Sequence, residues 1–160
     1  MIEFIGDGGH AKVLIDVLSK SWPWEKSGHI IAVGDNRNRK KEADALYEGG
    51  FAIGISPVFA ILRHPSAIIA SDVQIGEGTV IMAGVIIQPS CKIGKHVILN
   101  TSCTVDHDCI IEDFAHIAPG VHLCGGVHVG EGALMGVGSC AVPGAKIEPW
   151  SLVKANTVAK

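Results

Sequence analysis

Residues 98–129 read ILNTSCTVDHDCIIEDFAHIAPGVHLCGGVHV, and a large aliphatic side chain returns at every sixth position of this stretch. The phase continues without an insertion from Ile69 to Val153, and every position in the series is apolar. Four residues after each of these positions, from Val73 to Thr157, the chain always has a small or β-branched residue. One large and one small side chain in every six residues is typical of a coil built from short strands and corners.

This repeat predicts a mainly β fold, a left-handed parallel β-helix of about five coils. Six residues form one strand and one corner, so three sides close a triangular coil of eighteen residues whose interior holds the aliphatic side chains. Gly76, Gly94 and Gly130 recur at multiples of eighteen, and we expect them to be corner residues that need the backbone freedom of glycine.

Composition excludes several classes of protein. The net charge is −3 and no long basic run is present, which argues against a nucleic-acid-binding surface. No apolar stretch is long enough to cross a bilayer, and no secretory signal precedes the first strand, so we expect a cytoplasmic protein. Cys91, Cys103 and Cys109 occupy the small position of the repeat, which favours reduced core residues over nucleophiles or metal ligands.

The first 64 residues predict a small, truncated Rossmann-like α/β unit, followed by the β-helix at 65–160. We predict strands at IEFI (2–5), HIIAVG (29–34) and FAIGI (51–55), and helices at AKVLIDVLSK (11–20) and NRNRKKEADAL (36–46). Asp35 or Asn36 is the expected N-cap of the second helix. SWPWEK (21–26) reads as a loop.

Two glycine-containing loops follow the first two predicted strands. They are GDGGHAK (6–12) and Gly34–Arg37. If the strands are neighbours, the loops flank one crevice at the carboxyl ends of the sheet. Backbone N–H groups and a helix N-terminus could hold a phosphate there. The loop lacks the full spacings of the nucleotide-binding motifs, so the loop taken alone favours a plain strand–helix turn over a phosphate site.

The stretch TVDHDC (104–109) contains the best candidate for catalysis. Val105 and Cys109 fit the interior of the coil, so residues 106–108 (Asp-His-Asp) form an exposed corner. A carboxylate beside an imidazole orients it and makes His107 a competent general base near neutral pH. Gly125 lies eighteen residues later, so its backbone N–H could serve as an oxyanion donor beside His107. A solvated polar corner is the alternative.

Three further histidines, His116, His122 and His128, are six residues apart. They should point outward from three different faces and cannot meet within one subunit. We therefore expect no metal, although a metal shared across a trimer interface stays open. Surface positions are the preferred interpretation for His122 and His128.

The chain resembles the bacterial left-handed β-helix sugar acetyltransferases, which acetylate UDP-linked amino sugars or sialic acids with acetyl-CoA. The matching motifs are IGDGGHAKV (5–13), AVGDNRNRKK (32–41), HPSA (64–67) and the segment from Leu99 to Ile147 that includes VDHDC and HIAPG. The resemblance covers most of the chain.

The resemblance implies direct acetyl transfer, with no acyl-enzyme, at a site between adjacent subunits of a homotrimer. It implies that His107 is the general base, that Asp108 supports it and that the Gly125 backbone binds the thioester oxyanion. By the same resemblance, His116 lies near the acetyl-CoA thioester. The residues implied around the nucleotide-linked sugar are Gly8, Gly9, His10, Gly34, Asp35, Asn36 and Asn100.

The chain differs from the family at two places. The N-terminal unit lacks a strand–helix pair and the acidic segment that helps to hold the nucleotide, and no Gly-Val-Pro-Ala-type tail follows the last coil. We therefore expect a weaker hold on the nucleotide and on CoA. The leading hypothesis is N-acetylation of a nucleotide-linked amino sugar. The alternatives are O-acetylation of a sugar such as sialic acid, a γ-carbonic-anhydrase-like metalloenzyme and a non-catalytic remnant.

Overall fold

The computed structural model describes residues 2–20, 28–52 and 56–160, and it begins with a small α/β unit. Strand β1 (Ile2–Ile5) is followed by helix α1 (Gly9–Lys20), strand β2 (Gly28–Ile31) and helix α2 (Asn36–Ala52). β1 and β2 are parallel neighbours. The predicted strand at IEFI and the two predicted helices are confirmed, and the strand predicted at HIIAVG is confirmed only as far as Ile31, where β2 ends. The predicted loop SWPWEK lies outside the described residues.

The prediction of a strand at FAIGI was wrong at its start, because Phe51 and Ala52 are the last residues of α2. Residues 53–55 lie outside the described part of the chain. The place beside β2 is taken by residues 58–60 instead. The His29 N–H donates to the Val58 carbonyl at 2.8 Å, and the Ala60 N–H donates to the His29 carbonyl at 3.0 Å.

Helix α2 begins and continues for identifiable reasons. The Asp35 carboxylate accepts the Asn38 N–H at 2.8 Å, which makes Asp35 the N-cap and decides between the two expected candidates. The apolar side of the helix reaches past the predicted end at Leu46, because Tyr47 packs with Ala43 and Leu46 in one cluster with Phe59 and Phe114. Tertiary contacts therefore extend the helix past the polar segment that the sequence marks.

The remainder of the described chain is a parallel β-solenoid of about five coils, consistent with the predicted left-handed β-helix. Its strands are two residues long and form three sheets. Sheet I contains β3 (Leu62–Arg63), β6 (Val80–Ile81), β9 (Ile98–Leu99), β12 (His116–Ile117), β15 (Leu134–Met135) and β18 (Leu152–Val153). Sheet II contains β4 (Ile68–Ile69), β7 (Ile86–Ile87), β10 (Thr104–Val105), β13 (His122–Leu123), β16 (Cys140–Ala141) and β19 (Val158–Ala159). Sheet III contains β5 (Gln74–Ile75), β8 (Lys92–Ile93), β11 (Ile110–Ile111), β14 (His128–Val129) and β17 (Lys146–Ile147).

The interior of the solenoid follows the predicted repeat. In the central coils the second residue of each strand is buried, as at Leu99, Val105 and Ile117, which are 0% exposed. The small position is buried as well, and the three free cysteines there, Cys91, Cys103 and Cys109, lie in the same core. Neighbouring coils pair residues eighteen apart, for example Thr104 with His122, so the predicted coil length is confirmed.

The predicted reason for three corner glycines was wrong. Residues with positive φ recur at every sixth position from Gly78 to Asn156, and Gly76, Gly94 and Gly130 are not among them. Glycine is required at these three positions because neighbouring coils approach each other too closely for a Cβ atom. A Cβ at Gly76 would lie 2.6 Å from the Gly94 carbonyl carbon, and one at Gly130 would lie 2.7 Å from the Pro149 nitrogen.

The α/β unit packs on the outer face of sheet I. Leu14 of α1 and Ile30 of β2 form one buried cluster with Val80 and Ile98, whose side chains point away from the solenoid interior. The α/β unit covers the coils that contain Val80 and Ile98. His116 belongs to the next coil of sheet I, so its outward side chain lies at the edge of the α/β unit. No helix among residues 2–20, 28–52 and 56–160 has the length and apolar character that a membrane span requires.

Candidate active site

The corner between sheets II and III places a paired imidazole and carboxylate at the surface. The His107 Nδ1 lies 2.6 Å from the Asp108 Oδ2, and the two side chains are 61% and 64% exposed. The His107 N–H donates to the Asp106 carboxylate at 2.8 Å. Asp108 occupies the left-handed region with φ of 60°, which turns its carboxylate toward the ring that precedes it. The hydrogen bond that the imidazole donates to Asp108, followed by the charge of Asp106, raises the pKa of His107 above its ordinary value.

Gly125 lies one coil below His107, as the eighteen-residue spacing predicts. A Cβ added to Gly125 would lie 2.7 Å from the His107 Cε1 and 2.8 Å from its Nε2, so only glycine leaves room for the ring. The Gly126 N–H donates to the His107 carbonyl at 2.9 Å, which locks the two corners together. Among the described residues, no hydrogen-bond partner is recorded for the Gly125 N–H. This donor is therefore available to a negative charge that develops beside the imidazole.

A second cluster forms where the α/β unit meets sheet I. The Asn100 Nδ2 lies 3.1 Å from the His116 Nε2. A Cβ at Gly34 would lie 3.8 Å from the Cβ of His10, so the loops after β1 and β2 meet in one crevice, as expected for neighbouring strands. The His10 Nε2 is buried and has no hydrogen-bond partner among the described residues.

Both imidazoles of this second cluster are held neutral. Burial lowers the pKa of His10 to about 4, and the positive charge of Arg39 acts in the same direction. Burial also lowers the pKa of His116 to about 3, again with Arg39 and with His10 contributing. These two rings are therefore hydrogen-bonding groups at neutral pH, in contrast to the exposed and more basic His107.

The remaining predicted substrate-binding residues lie on the two loops. Gly8 and Gly9 are exposed at the start of α1, and no atom outside their immediate neighbours lies within 4 Å of a Cβ built at either. Asn36 is buried, and its amide nitrogen donates to the Gly132 carbonyl at 3.0 Å. A cleft of about 200 Å³ extends from this loop along the lower coils. Its lining is Gly34, Asp35, Asn36, Arg37, Gly132, Leu134, Trp150, Ser151 and Leu152.

The structure does not bring all predicted residues together within one chain. His107, Asp108 and Gly125 lie at the corner after sheet II, whereas His10, His116 and Asn100 lie against sheet I. Among the described residues, no contact between the two clusters is recorded. By the resemblance, the first cluster contains the general base and the oxyanion donor, and the second contains the contacts to the sugar and the thioester.

As predicted, the three histidines project in separate directions: His116 lies in β12 of sheet I, His122 in β13 of sheet II and His128 in β14 of sheet III. The His122 Nδ1 lies 2.8 Å from the Thr104 Oγ1, and the His128 Nε2 lies 2.7 Å from the Glu112 carboxylate. Within the described ranges, no group of three histidine, cysteine or acidic side chains is arranged to hold a metal ion.

Two buried residues of this region, Arg39 and His96, are not predicted from the sequence. Arg39 is 1% exposed and lies between the loop after β2 and the solenoid corners. His96 is also 1% exposed, and its ring stacks on Phe114 with centroids 5.1 Å apart. Arg39 stands in the run NRNRKK, where a solvated helix surface is the ordinary interpretation, and the sequence carries no signal that singles it out.

The coils and the corner imidazole define the class, a hexapeptide-type β-helix protein with a candidate transferase site. The model of the bacterial transferase hexapeptide (six repeats) matches residues 72–107, and the chain belongs to this hexapeptide-repeat family.

Two of three similar proteins are named as acetyltransferases, and the third was solved with CoA and a nucleotide-linked sugar. The UDP-N-acetylbacillosamine N-acetyltransferase of Bacillus subtilis (strain 168) is 35% identical in a match covering 51% of each chain. The acetyltransferase domain of PglB from Neisseria gonorrhoeae FA1090 has a TM-score of 0.87 at 28% identity, covering 99% of this chain and 90% of that one. PerB from Caulobacter crescentus, solved with CoA and GDP-perosamine, has a TM-score of 0.85 at 32% identity, covering 99% and 88%. The chain spans about half the length of the curated relatives that it matches.

Proposed function

We propose that the protein is an acetyl-CoA-dependent N-acetyltransferase that acts on the amino group of a nucleotide-linked amino sugar. The observation that carries this proposal is the His107–Asp108 pair stacked on Gly125, whose N–H has no recorded partner among the described residues. The relatives named N-acetyltransferases of perosamine and bacillosamine, and a related structure with acetyl coenzyme A, support the choice of donor and acceptor.

The mechanism follows from the orientation of the imidazole. Because Nδ1 faces the Asp108 carboxylate, it carries the proton, and Nε2 is the basic nitrogen. The nitrogen of the acceptor amine attacks the thioester carbonyl, and Nε2 takes a proton from that amine. The Gly125 N–H donates to the resulting oxyanion. The intermediate then collapses, the C–S bond breaks, and the imidazolium returns its proton to the departing CoA sulfur.

The second cluster supplies the other half of the site in this proposal. His10, Asn100 and the loops with Gly8, Gly9 and Gly34–Asn36 contact the acceptor, and His116 lies near the thioester. Since the two clusters belong to different faces of the solenoid, we place the complete site between adjacent subunits of a homotrimer, where the corner of one subunit faces the crevice of the next.

The proposal is tested by incubating the protein with acetyl-CoA and a panel of acceptors. The panel contains UDP- and GDP-linked amino sugars, the free amino sugars and sialic acid, and the products are identified by mass spectrometry. We expect acetylation of a nucleotide-linked amine. Acetylation of a hydroxyl alone would replace the proposal with O-acetylation, and an unmodified panel would refute both.

The matched variants are His107→Asn and His128→Asn. Each removes an imidazole that is bonded to a carboxylate at 2.6–2.7 Å, but only His107 has the stacked glycine. We expect kcat to fall by about 100-fold or more in His107→Asn, as for loss of a general base. His128→Asn should retain the wild-type rate. Equal rates in the two variants would exclude His107 as the base.

A further inference from the structure

Arg39 has an environment that a surface helix residue does not have. Its side chain is 1% exposed, and its guanidinium donates to six oxygen atoms. These are the carbonyls of Val33, Gly34, His96, Phe114 and Ala115 and the side-chain oxygen of Asn36, at 2.6–3.5 Å. All six acceptors are neutral, so the guanidinium does not form an ion pair with them. Its planar set of N–H donors instead holds several backbone segments at fixed distances.

The positions of these acceptors connect the two sides of the crevice. Val33 and Gly34 belong to the loop after β2 and Asn36 is the first residue of α2, whereas His96 and Phe114 are solenoid corners of successive coils. Phe114 lies two residues before His116, and Gly34 lies beside His10. One planar side chain therefore fixes the loop that carries the predicted acceptor contacts relative to the coil that carries His116.

We propose that Arg39 is the positioning residue of the acceptor pocket: its guanidinium sets the distance between the loop Gly34–Asn36 and His116. This inference rests on the proposed function for the identity of the ligand, although the placement of Arg39 does not. Asn36 extends the same connection to the next coil, because its oxygen accepts from Arg39 at 2.8 Å while its nitrogen donates to the Gly132 carbonyl.

The charge of Arg39 has a second consequence for the pocket. The groups that face it are Asp35, His10, His96 and His116, and its field helps to lower the pKa of the three histidines, after the larger effect of burial. The neutral imidazoles of His10 and His116 can hydrogen-bond to sugar hydroxyls without adding further positive charge to the pocket.

The variants Arg39→Met, Arg39→Lys and Lys41→Met separate these contributions. Arg39→Met and Lys41→Met each remove one positive charge from α2, but Lys41 is exposed. Arg39→Lys keeps the charge and loses the planar fork. Because misplacement by about 1 Å costs on the order of 100-fold, we expect kcat/KM for the acceptor to fall by about that factor in both Arg39 variants. KM for acetyl-CoA should stay within about two-fold of wild type, and Lys41→Met should match wild type throughout.

Two readouts keep the inference independent of the proposed function. The first is the NMR titration of His10 and His116 in protein that circular dichroism shows to be folded. Both pKa values should rise in Arg39→Met and remain low in Arg39→Lys. The second is hydrogen exchange of the loop amides at 34–36, which should accelerate in both Arg39 variants and not in Lys41→Met.

The outcomes separate the two claims. An inactive wild type would refute the proposed function, while the exchange and titration data would still decide the role of Arg39. Unchanged loop exchange and unchanged acceptor KM in a folded Arg39→Lys would overturn the inference. An equal loss toward acceptor and acetyl-CoA would also overturn it, because that pattern indicates general damage to the fold.

Discussion

At the scale of single residues, two imidazole–carboxylate pairs of nearly the same length have different surroundings. His107–Asp108 spans 2.6 Å and His128–Glu112 spans 2.7 Å. Only the first ring lies against a glycine whose N–H has no recorded partner among the described residues. In the proposed mechanism the donor beneath the ring distinguishes this corner from the other pair, because it would stabilise charge that exists only in the transition state.

The Asp108→Asn variant tests the link between the carboxylate and the base. The carboxylate raises the pKa of His107, so its removal should lower that pKa, and the acidic limb of kcat/KM against pH should move to lower pH. The plateau rate at high pH should fall, since a weaker base accepts the proton less readily. An acidic limb that stays in place would show that a different group titrates.

The Gly125→Ala variant tests the space beneath the ring. The added methyl would overlap the imidazole, whereas the backbone φ at Gly125 does not require glycine, so we expect activity to be lost in a protein that still folds. Gly144→Ala is the control, because it forces a positive φ of 70° but meets no atom within 4 Å. The control should lose about 1–2 kcal/mol of stability and keep its activity. The reverse pattern would contradict our account of this corner.

At the scale of elements, helix α2 docks on the solenoid beside a buried imidazole that stays neutral. His96 lies between Phe59 and Phe114, with ring centroids 4.6 Å and 5.1 Å away, and the Tyr47 hydroxyl lies 3.4 Å from its Nε2. Burial lowers the pKa of His96 to about 4. Although the sequence of α2 is largely polar, its interface with the solenoid contains aromatic rings, one imidazole and one guanidinium.

Lowering the pH should destabilise the folded protein before the carboxylates become protonated. Because the folded pKa values of His10, His96 and His116 lie at about 4, 4 and 3, the unfolded chain gains protons below pH 6.5 while the folded chain does not. The free energy of unfolding should therefore fall as the pH drops from 6.5 toward 4, by up to about 1.4 kcal/mol per pH unit for each histidine. Urea unfolding at a fixed protein concentration measures this slope.

The His96→Phe variant identifies one of the three contributions. Phenylalanine can stack at the same place, since Phe114 already occupies the left-handed region with φ of 59°. We expect the slope between pH 6.5 and pH 5 to decrease by about one proton. His122→Phe, a change at an exposed histidine, is the control and should leave the slope as it is. An unchanged slope in His96→Phe would mean that His96 does not remain neutral.

At the scale of the whole molecule, the two halves of the proposed site lie on different faces of one chain. The His107 corner joins sheets II and III, whereas His10, Asn100 and His116 meet at sheet I. A site that needs both halves is completed only by a second copy. The solenoid makes this possible, because its coils repeat the same corner at regular intervals and a neighbour can align with it in register.

Mixing two inactive variants tests the composite site. Co-expressed His107→Asn and His116→Ala subunits should recover activity, because some sites pair an intact His107 from one subunit with an intact His116 from the next. Random assembly of a cyclic trimer restores about one quarter of the sites. If each chain carried its own complete site, the mixture would stay as inactive as the separate variants, and light scattering would show whether trimers had formed.

The sequence by itself determined the solenoid, its eighteen-residue coil, the inward and outward positions and the exposed corner at residues 106–108, because these depend on a local repeat. It also determined that Gly125 lies beneath His107, since a fixed coil length converts spacing directly into contact. Only the tertiary structure decided the rest. It placed residues 58–60 beside β2 where a strand at FAIGI was expected, and it buried Arg39 of α2 against the solenoid corner that contains His96. Those outcomes depend on how the α/β unit packs against sheet I, and a contact between segments 57 or 75 residues apart leaves no periodic mark in the sequence.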